Sequence, residues 1–121
     1  MNLKNQSAVN EVVRGGGLLV VSQWEAKDGQ ADKVAGILQR FLPKAQSDPG
    51  VKLFLIARGN ENPAQFVFYE LFVDEAALTA HLASDYFKRL IAGEALPLLS
   101  KREKAQYSLL SVREPALSGP G

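Results

Sequence analysis

A chain of 121 residues is long enough for one domain with a real core, and 46% hydrophobic with 22% charged residues is the composition of an ordinary globular protein. The formal net charge of +1 predicts neither a nucleic-acid nor a membrane partner, and no apolar run approaches the roughly 20 residues that cross a bilayer. The absence of cysteine excludes disulfides, thiolate metal sites and cysteine nucleophiles, and with a single histidine no metal site is expected.

The two ends of the chain are predicted to lie outside the domain. Residues 1–17 show no sustained period, are rich in Asn, Gln and Ser, and end in three glycines, which we interpret as a flexible arm with a hinge. Phosphate binding would need such glycines after a strand and before a helix, whereas these precede a strand. The arm has no apolar segment of the secretory kind, so a cytoplasmic protein is expected. Residues 113–121 have the composition of a disordered tail.

The first half of the domain is predicted to be a strand followed by a helix. Alternating faces predict a strand over Leu18–Ala26. Pro43 is expected to end or kink the following helix near Phe41 or Leu42, and Gly36 within it to mark a close approach to the sheet. The core side of this helix is predicted to carry Val34, Ile37, Leu38 and Phe41.

The second half is predicted to contain three strands and two helices. The strands are Val51–Arg58, the largely apolar Gln65–Val73, and Ala105–Val112. Asp74 is placed to cap a helix that contains His81, and Ser84 with Asp85 to cap a second one over residues 86–92.

The resulting order of strand, helix, strand, strand, helix, strand is typical of the α+β, ferredoxin-like βαββαβ arrangement, here over residues 18–112. Helices cover one face of such a sheet. The other face would expose an apolar patch that soluble monomers rarely tolerate, so a homodimer packed sheet to sheet is predicted. The residues of this patch include Val67, Tyr69, Leu71 and Val73.

His81 and Glu70 stand out within this plan. His81 shares a helical stripe with Ala77, Leu78 and Leu82 and so should face the sheet. Glu70 alternates with phenylalanines on the face assigned to the helices, where a carboxylate needs a partner. Arg58, Arg89 or His81 could be that partner, and structural pairing is the first interpretation of Glu70.

The stretch Gln65–Phe87, with the Asp48–Gly50 turn before it, resembles the antibiotic biosynthesis monooxygenase domain family. The resemblance implies a dimeric α/β barrel that oxidises quinols or polyphenols with dioxygen, without metal, flavin or nicotinamide, in a pocket between sheet and helices. Asp85–Tyr86 stands where many members carry a second histidine. The haem-degrading branch would have a tryptophan at Phe72 and a histidine near Ile91, so haem degradation is not expected.

The site residues follow from the inward histidine and this resemblance. His81 is the candidate base for a phenolic proton, because its usual pKa near 6.5 suits neutral pH, and Glu70 is a second candidate. Arg58 or Arg89 could stabilise an anion. An aromatic slot for a flat substrate is predicted from Trp24, Phe68, Phe72 and Tyr86. Each of these residues could instead be simple core, and His81 a buried histidine with a hydrogen-bond partner.

Two other function classes remain open from the sequence. One is a dimer of the same fold that binds or senses a small molecule. It differs from the monooxygenase only in that nothing reacts in its pocket. The other is RNA binding, since the same strand order builds RNA-recognition domains with aromatics on the third strand. Their motif starts with a basic residue and glycine, whereas Pro63–Gln65 stands here, and the surroundings are apolar, so this class is disfavoured.

Overall fold

The computed structural model describes residues 3–110, with side chains from residue 6 onward. Its elements in chain order are α1 (Leu3–Val13), β1 (Leu18–Ala26), α2 (Ala31–Gln46), β2 (Val51–Arg58), β3 (Gln65–Phe72), α3 (Glu75–Ala83), the π-helical α4 (Phe87–Ala95), a 3₁₀ turn (Leu96–Leu98) and β4 (Leu99–Ser108). The predicted tail lies outside the described residues.

The four strands form one antiparallel sheet in the order β2-β3-β1-β4. This is the ferredoxin-like topology that the order of the predicted elements indicated, and the α+β fold class is confirmed. The bounds of β1 and β2 agree with the predicted strands. β3 is one residue shorter than predicted.

The two faces of the sheet differ in what covers them. The helix-covered face contains the core, which joins the phenylalanines of β2 and β3 to α2 and α4. On the opposite face Leu53, Leu55 and Tyr69 are 36–49% exposed. The prediction for that face was wrong at Leu71, which is 1% exposed because Gly17 packs directly against its side chain.

Three local predictions were also wrong. Residues 3–13, predicted to be a loosely ordered arm, form a helix that ends at Val13. Gly15 follows it with a positive φ of 80°, which suits a residue just after a helix. Pro43 does not end α2, which continues to Gln46, since the buried Ala45 holds the last turn in the core. The last strand begins at Leu99, six residues earlier than Ala105.

The helices can be compared with what a membrane span requires. None of those within residues 3–110 combines the length and the apolar composition needed to cross a bilayer.

Candidate functional site

His81 lies in the centre of an aromatic cluster beneath α3. That helix begins where predicted, because the Asp74 carboxylate accepts a hydrogen bond of 2.9 Å from the Ala77 amide. Its last turn places His81 against the sheet, 1% exposed, which confirms the inward orientation. Four phenylalanine rings lie with their centroids 5.2–5.9 Å from the imidazole: Phe41, Phe54, Phe72 and Phe87.

A hydrogen-bonded chain links this imidazole to a turn near the surface. His81 Nδ1 lies 2.9 Å from the Tyr86 hydroxyl, which donates to Asp48 Oδ2 at 3.0 Å. The other Asp48 oxygen accepts a hydrogen bond of 3.0 Å from the Gly50 amide. Asp48 is therefore held by the turn from residue 48 to 50, and it holds Tyr86 in turn.

The donors in this chain determine the tautomer of the neutral histidine. The Tyr86 hydroxyl has one proton, and that proton is donated to Asp48, which can only accept. Nδ1 must then carry the imidazole proton and donate it to Tyr86, which leaves the Nε2 lone pair free. No solvent-inaccessible side-chain nitrogen or oxygen in the described part of the chain lacks a partner. Since His81 lines the cavity between the sheet and the helices, we infer that Nε2 faces it.

Burial is the largest influence on the pKa values of both His81 and Tyr86, and the charge of Asp48 acts on each of them as well. Burial lowers the pKa of His81 below 6.5, and the Asp48 carboxylate opposes that shift only in part. Burial, followed by the bond to Asp48, raises the pKa of the Tyr86 hydroxyl. At neutral pH the site thus contains a neutral imidazole and a neutral phenol.

Glu70 is the second titratable group facing the helices, as predicted. Its carboxylate is 8% exposed and accepts a hydrogen bond of 3.4 Å from the Ser22 hydroxyl, so the partner is neither an arginine nor His81. Burial raises the pKa of Glu70 to about 7, although Ser22, Lys104 and Arg102 all act to lower it. Near neutral pH this carboxyl can therefore either accept or donate a proton.

His81 and Glu70 line the same small cavity between the sheet and the helices. Its volume is about 30 Å³, which is room for roughly two water molecules. Its apolar lining consists of Val20, Trp24, Phe41, Phe54, Phe68, Leu78, Leu82, Phe87 and Ile91. Its polar lining consists of Ser22, Glu70, His81, Arg102 and Lys104.

The predicted aromatic slot is present only in part. Trp24 and Phe68 line the cavity and contact each other, with ring centroids 4.5 Å apart. Phe72 and Tyr86 contact His81 from outside the cavity lining. Tyr86 therefore contacts the histidine and is not part of the cavity lining.

Arg58 does not reach the cavity. Its guanidinium lies 2.8 Å from the Asp32 carboxylate, donates to the Pro63 carbonyl and covers the Phe66 ring. The alternative, Arg89, is exposed and does not line the cavity. The cations that do line it, Arg102 and Lys104, were not predicted.

Sequence reasoning also missed Asp48 and Ser22. Asp48 lies 38 residues from Tyr86 in the chain, so no local spacing relates the two. Ser22 offered a weak signal, because it shares a strand face with Val20 and Trp24, and a hydroxyl among buried apolar residues needs a partner.

A larger groove of about 320 Å³ lies elsewhere, at the end of the sheet. Its polar lining comes from Gln23, Glu25, Gln65, Lys101 and Glu103. The groove includes neither His81 nor Glu70. We place the candidate site in the smaller cavity because the two groups with shifted pKa values converge there.

The match to a family model decides what kind of protein this is. The model described as antibiotic biosynthesis monooxygenase matches residues 17–93, well over half of the chain. The chain belongs to the antibiotic biosynthesis monooxygenase family. The match includes His81, Glu70, Asp48 and Tyr86 but ends before β4.

Solved structures with this fold support the assignment. A Nitrosomonas europaea protein of unknown function is 30% identical with a TM-score of 0.69, covering 83% of this chain and 95% of that one. A Pseudomonas aeruginosa protein is 22% identical with a TM-score of 0.72, covering 79% and 96%. A structure described as an antibiotic biosynthesis monooxygenase is 24% identical with a TM-score of 0.69, covering 79% and 99%. No curated protein matches the chain.

Proposed function

We propose that this member of the family is a cofactor-independent monooxygenase that oxidises a quinol or a related aromatic compound with dioxygen. The observation that carries the proposal is that His81, whose Nδ1 is held by Tyr86, lines an aromatic-lined cavity together with Glu70. The family name, which describes monooxygenases, supports the reaction class.

In the proposed reaction His81 Nε2 accepts a phenolic proton, because a phenolate is a better electron donor to dioxygen than the phenol. One oxygen atom enters the ring as a new hydroxyl oxygen, the two quinol oxygens become the carbonyls, and the other oxygen atom leaves as water. The quinol loses four electrons in forming a hydroxyquinone, and dioxygen gains the same four. Glu70, with a pKa of about 7, is placed to return a proton to the departing oxygen.

The size of the cavity bears on substrate entry. Room for roughly two water molecules suffices for dioxygen but not for an aromatic ring. Binding of the ring therefore requires movement of side chains over the cavity, and we propose that the half-buried Leu78, Leu82 and Phe87 move. Trp24 and Phe68 would then stack against the ring.

A second candidate, a dimer that binds a small molecule without reacting with it, is favoured by two observations. Nδ1 of His81 already has its partner in Tyr86, and the cavity is nearly filled by side chains. Both features would also be expected of a structural histidine in a binding protein.

Oxygen uptake separates the two candidates. The parent protein and the variants His81→Ala, His81→Gln and Glu70→Gln would be assayed with a panel of reduced quinones, and Thr79→Ala, an exposed site on α3, is the control. We expect turnover that falls at least about 100-fold in both His81 variants, the scale of a lost general base. Saturable binding with no oxygen uptake by the parent protein would favour the non-catalytic candidate.

The homodimer belongs to this proposal as well. Exposed Leu53, Leu55 and Tyr69 on the helix-free face support a partner there, and a second copy is the partner we propose. A cytoplasmic location likewise stays a prediction.

A further inference from the structure

The charged run at the start of β4 is divided between the two faces of the sheet. Arg102 pairs with Trp24 and Lys104 with Ser22 across the ladder, which places both cations on the face that carries the cavity. Lys101 and Glu103 lie on the opposite face, where their charged groups are 3.5 Å apart. A run that is nearly balanced in the sequence thus becomes two positive charges on the cavity side.

No acidic side chain forms a salt bridge with these two cations within residues 3–110. Glu70, which also lines the cavity, interacts electrostatically with both cations. Burial keeps its carboxyl group partly protonated near neutral pH. His81, the other titratable group of the lining, is neutral there. The mouth of the cavity therefore has a surplus of positive charge next to an apolar interior.

We propose that the ligand of this cavity is an aromatic compound that carries a carboxylate, bound with the carboxylate on Arg102 and Lys104 and the ring directed toward Glu70 and His81. The proposal rests on the proposed function and names its substrate class. A guanidinium and an ammonium on one strand face can hold the two oxygens of one carboxylate. Neutral quinols would lack this contact.

The distances across the sheet fit such a ligand. Neighbouring strands lie about 4.8 Å apart. β4 is two strands from β3, so about 10 Å separates the backbone that carries the two cations from the backbone that carries Glu70. A carboxylate attached to one or two fused rings spans that distance. Trp24, on the intervening strand β1, and Phe68, on β3 beside Glu70, contact each other along this path.

The two cations are features of this chain that the family match does not include, since it ends at residue 93. They therefore bear on which aromatic compound this protein binds, and not on the reaction that the family shares.

Calorimetry with two probes that differ in one group tests the proposal. The probes are 1-hydroxy-2-naphthoate and the uncharged 1-hydroxy-2-naphthamide, titrated at neutral pH into the full-length protein. We expect the acid to bind about tenfold more tightly than the amide, with a preference that shrinks as salt is added. Quenching of Trp24, the single tryptophan, reports whether the ring enters the cavity.

Variants on the two faces of β4 supply the matched control. Arg102→Gln and Lys104→Gln should each weaken binding of the acid several-fold and leave binding of the amide unchanged, since only the acid contacts them. Lys101→Gln removes the same charge from the same strand on the opposite face and should change neither affinity. All three positions are exposed, so folding should survive each substitution.

Several results would overturn the proposal. They are equal binding of acid and amide, an effect of Lys101→Gln as large as that of Lys104→Gln, and no binding of either probe. Its failure is distinct from failure of the proposed function. Turnover of neutral quinols that Arg102→Gln does not affect would support the oxygenase and contradict the carboxylate site. Acid-selective binding without oxygen uptake would support the carboxylate site and contradict the oxygenase.

Discussion

Burial shifts the pKa values of both His81 and Glu70 toward their uncharged forms, but the two side chains are held in place by different partners. His81 is buried among phenylalanines and fixed through Tyr86 by Asp48, which selects the Nδ1–H tautomer. In the part of the chain that the structure describes, Glu70 has only the Ser22 hydroxyl as a hydrogen-bond partner, and burial is the largest cause of its raised pKa. The same environment that makes these groups costly in their charged forms makes them suited to proton transfer near neutral pH.

Glu70→Gln should stabilise the protein increasingly as pH rises. The pKa of Glu70 is 4.5 unfolded and about 7 folded. Between these values the unfolded chain ionises first, so the parent protein loses stability through this window, whereas the glutamine variant does not. The difference in unfolding free energy should grow by up to about 3 kcal/mol. Denaturant unfolding below and above the window measures it.

Glu61→Gln is the control for this experiment, because Glu61 is exposed in the loop before β3. A Glu70→Gln variant whose advantage over the parent is the same at pH 5 and pH 8 would contradict a raised pKa at Glu70.

Asp48→Asn should lower the pKa of His81 further. Burial already lowers it below 6.5, and the negative charge of Asp48 is what opposes that shift. Since the chain has one histidine, its ring proton gives a single NMR signal that can be titrated directly. Asp85→Asn removes a charge from an exposed position beside Tyr86 and should change the histidine titration less. A rise in the pKa of His81 in Asp48→Asn would rule out the assigned chain of hydrogen bonds from His81 through Tyr86 to Asp48.

At the scale of elements, helices α3 and α4 both cover the cavity but differ in helical geometry. α3 has a side-chain cap at Asp74 and regular spacing, which directs His81 inward. α4 is a nine-residue π-helix, a geometry often found at functional sites, and it contributes Phe87 and Ile91 to the lining. Ser84 accepts a hydrogen bond of 3.3 Å from the Phe87 amide, the cap that the sequence predicted.

Two glycine substitutions should have opposite effects on stability. A Cβ at Gly36, inside α2, would meet nothing within 4 Å, so the predicted close approach there is wrong. Gly36→Ala should raise the free energy of unfolding by about 0.5–1 kcal/mol through helix propensity. A Cβ at Gly50 would lie 2.6 Å from that of Ala77, so Gly50→Ala should destabilise. Thermal unfolding of both variants measures these effects. A loss of stability in Gly36→Ala would contradict the inference that a Cβ at this position has room.

At the scale of the whole molecule, the sheet has one covered and one open face. The helices and the cavity occupy the first. The second exposes a cross-strand pair of Leu55 and Tyr69 next to Leu53, a surface suited to a flat contact with a second copy. A dimer formed there would leave the cavity and the cations of β4 on its outer side.

Leu55→Glu should therefore convert a dimer into a monomer. A charge at the centre of an apolar contact lacks a partner and costs several kcal/mol. Sedimentation equilibrium measures the mass, and Gln39→Glu, which adds the same charge on the exposed side of α2, should remain dimeric. A parent protein that is already monomeric at high concentration would remove the reason for a partner on this face.

The sequence by itself determined the order of strands and helices from β1 onward, the inward direction of His81 and the face of Glu70, although it missed α1. Apolar residues that recur with a period of 2 in strands and of 3.6 in helices can be recognised from local spacing alone. The residues that face the core are the ones that these periods predict. Propensity misled where tertiary contacts dominate, as in α2, where the burial of Ala45 outweighs the break expected at Pro43.

Only the tertiary structure decided the composition of the site. The bond between Asp48 and Tyr86 joins residues 38 apart, and that between Ser22 and Glu70 residues 48 apart. Arg102 and Lys104 reach the cavity because β4 pairs with β1, 78 or more positions earlier in the chain. Such partners depend on how the strands pair and how the helices pack over them, which no local period encodes.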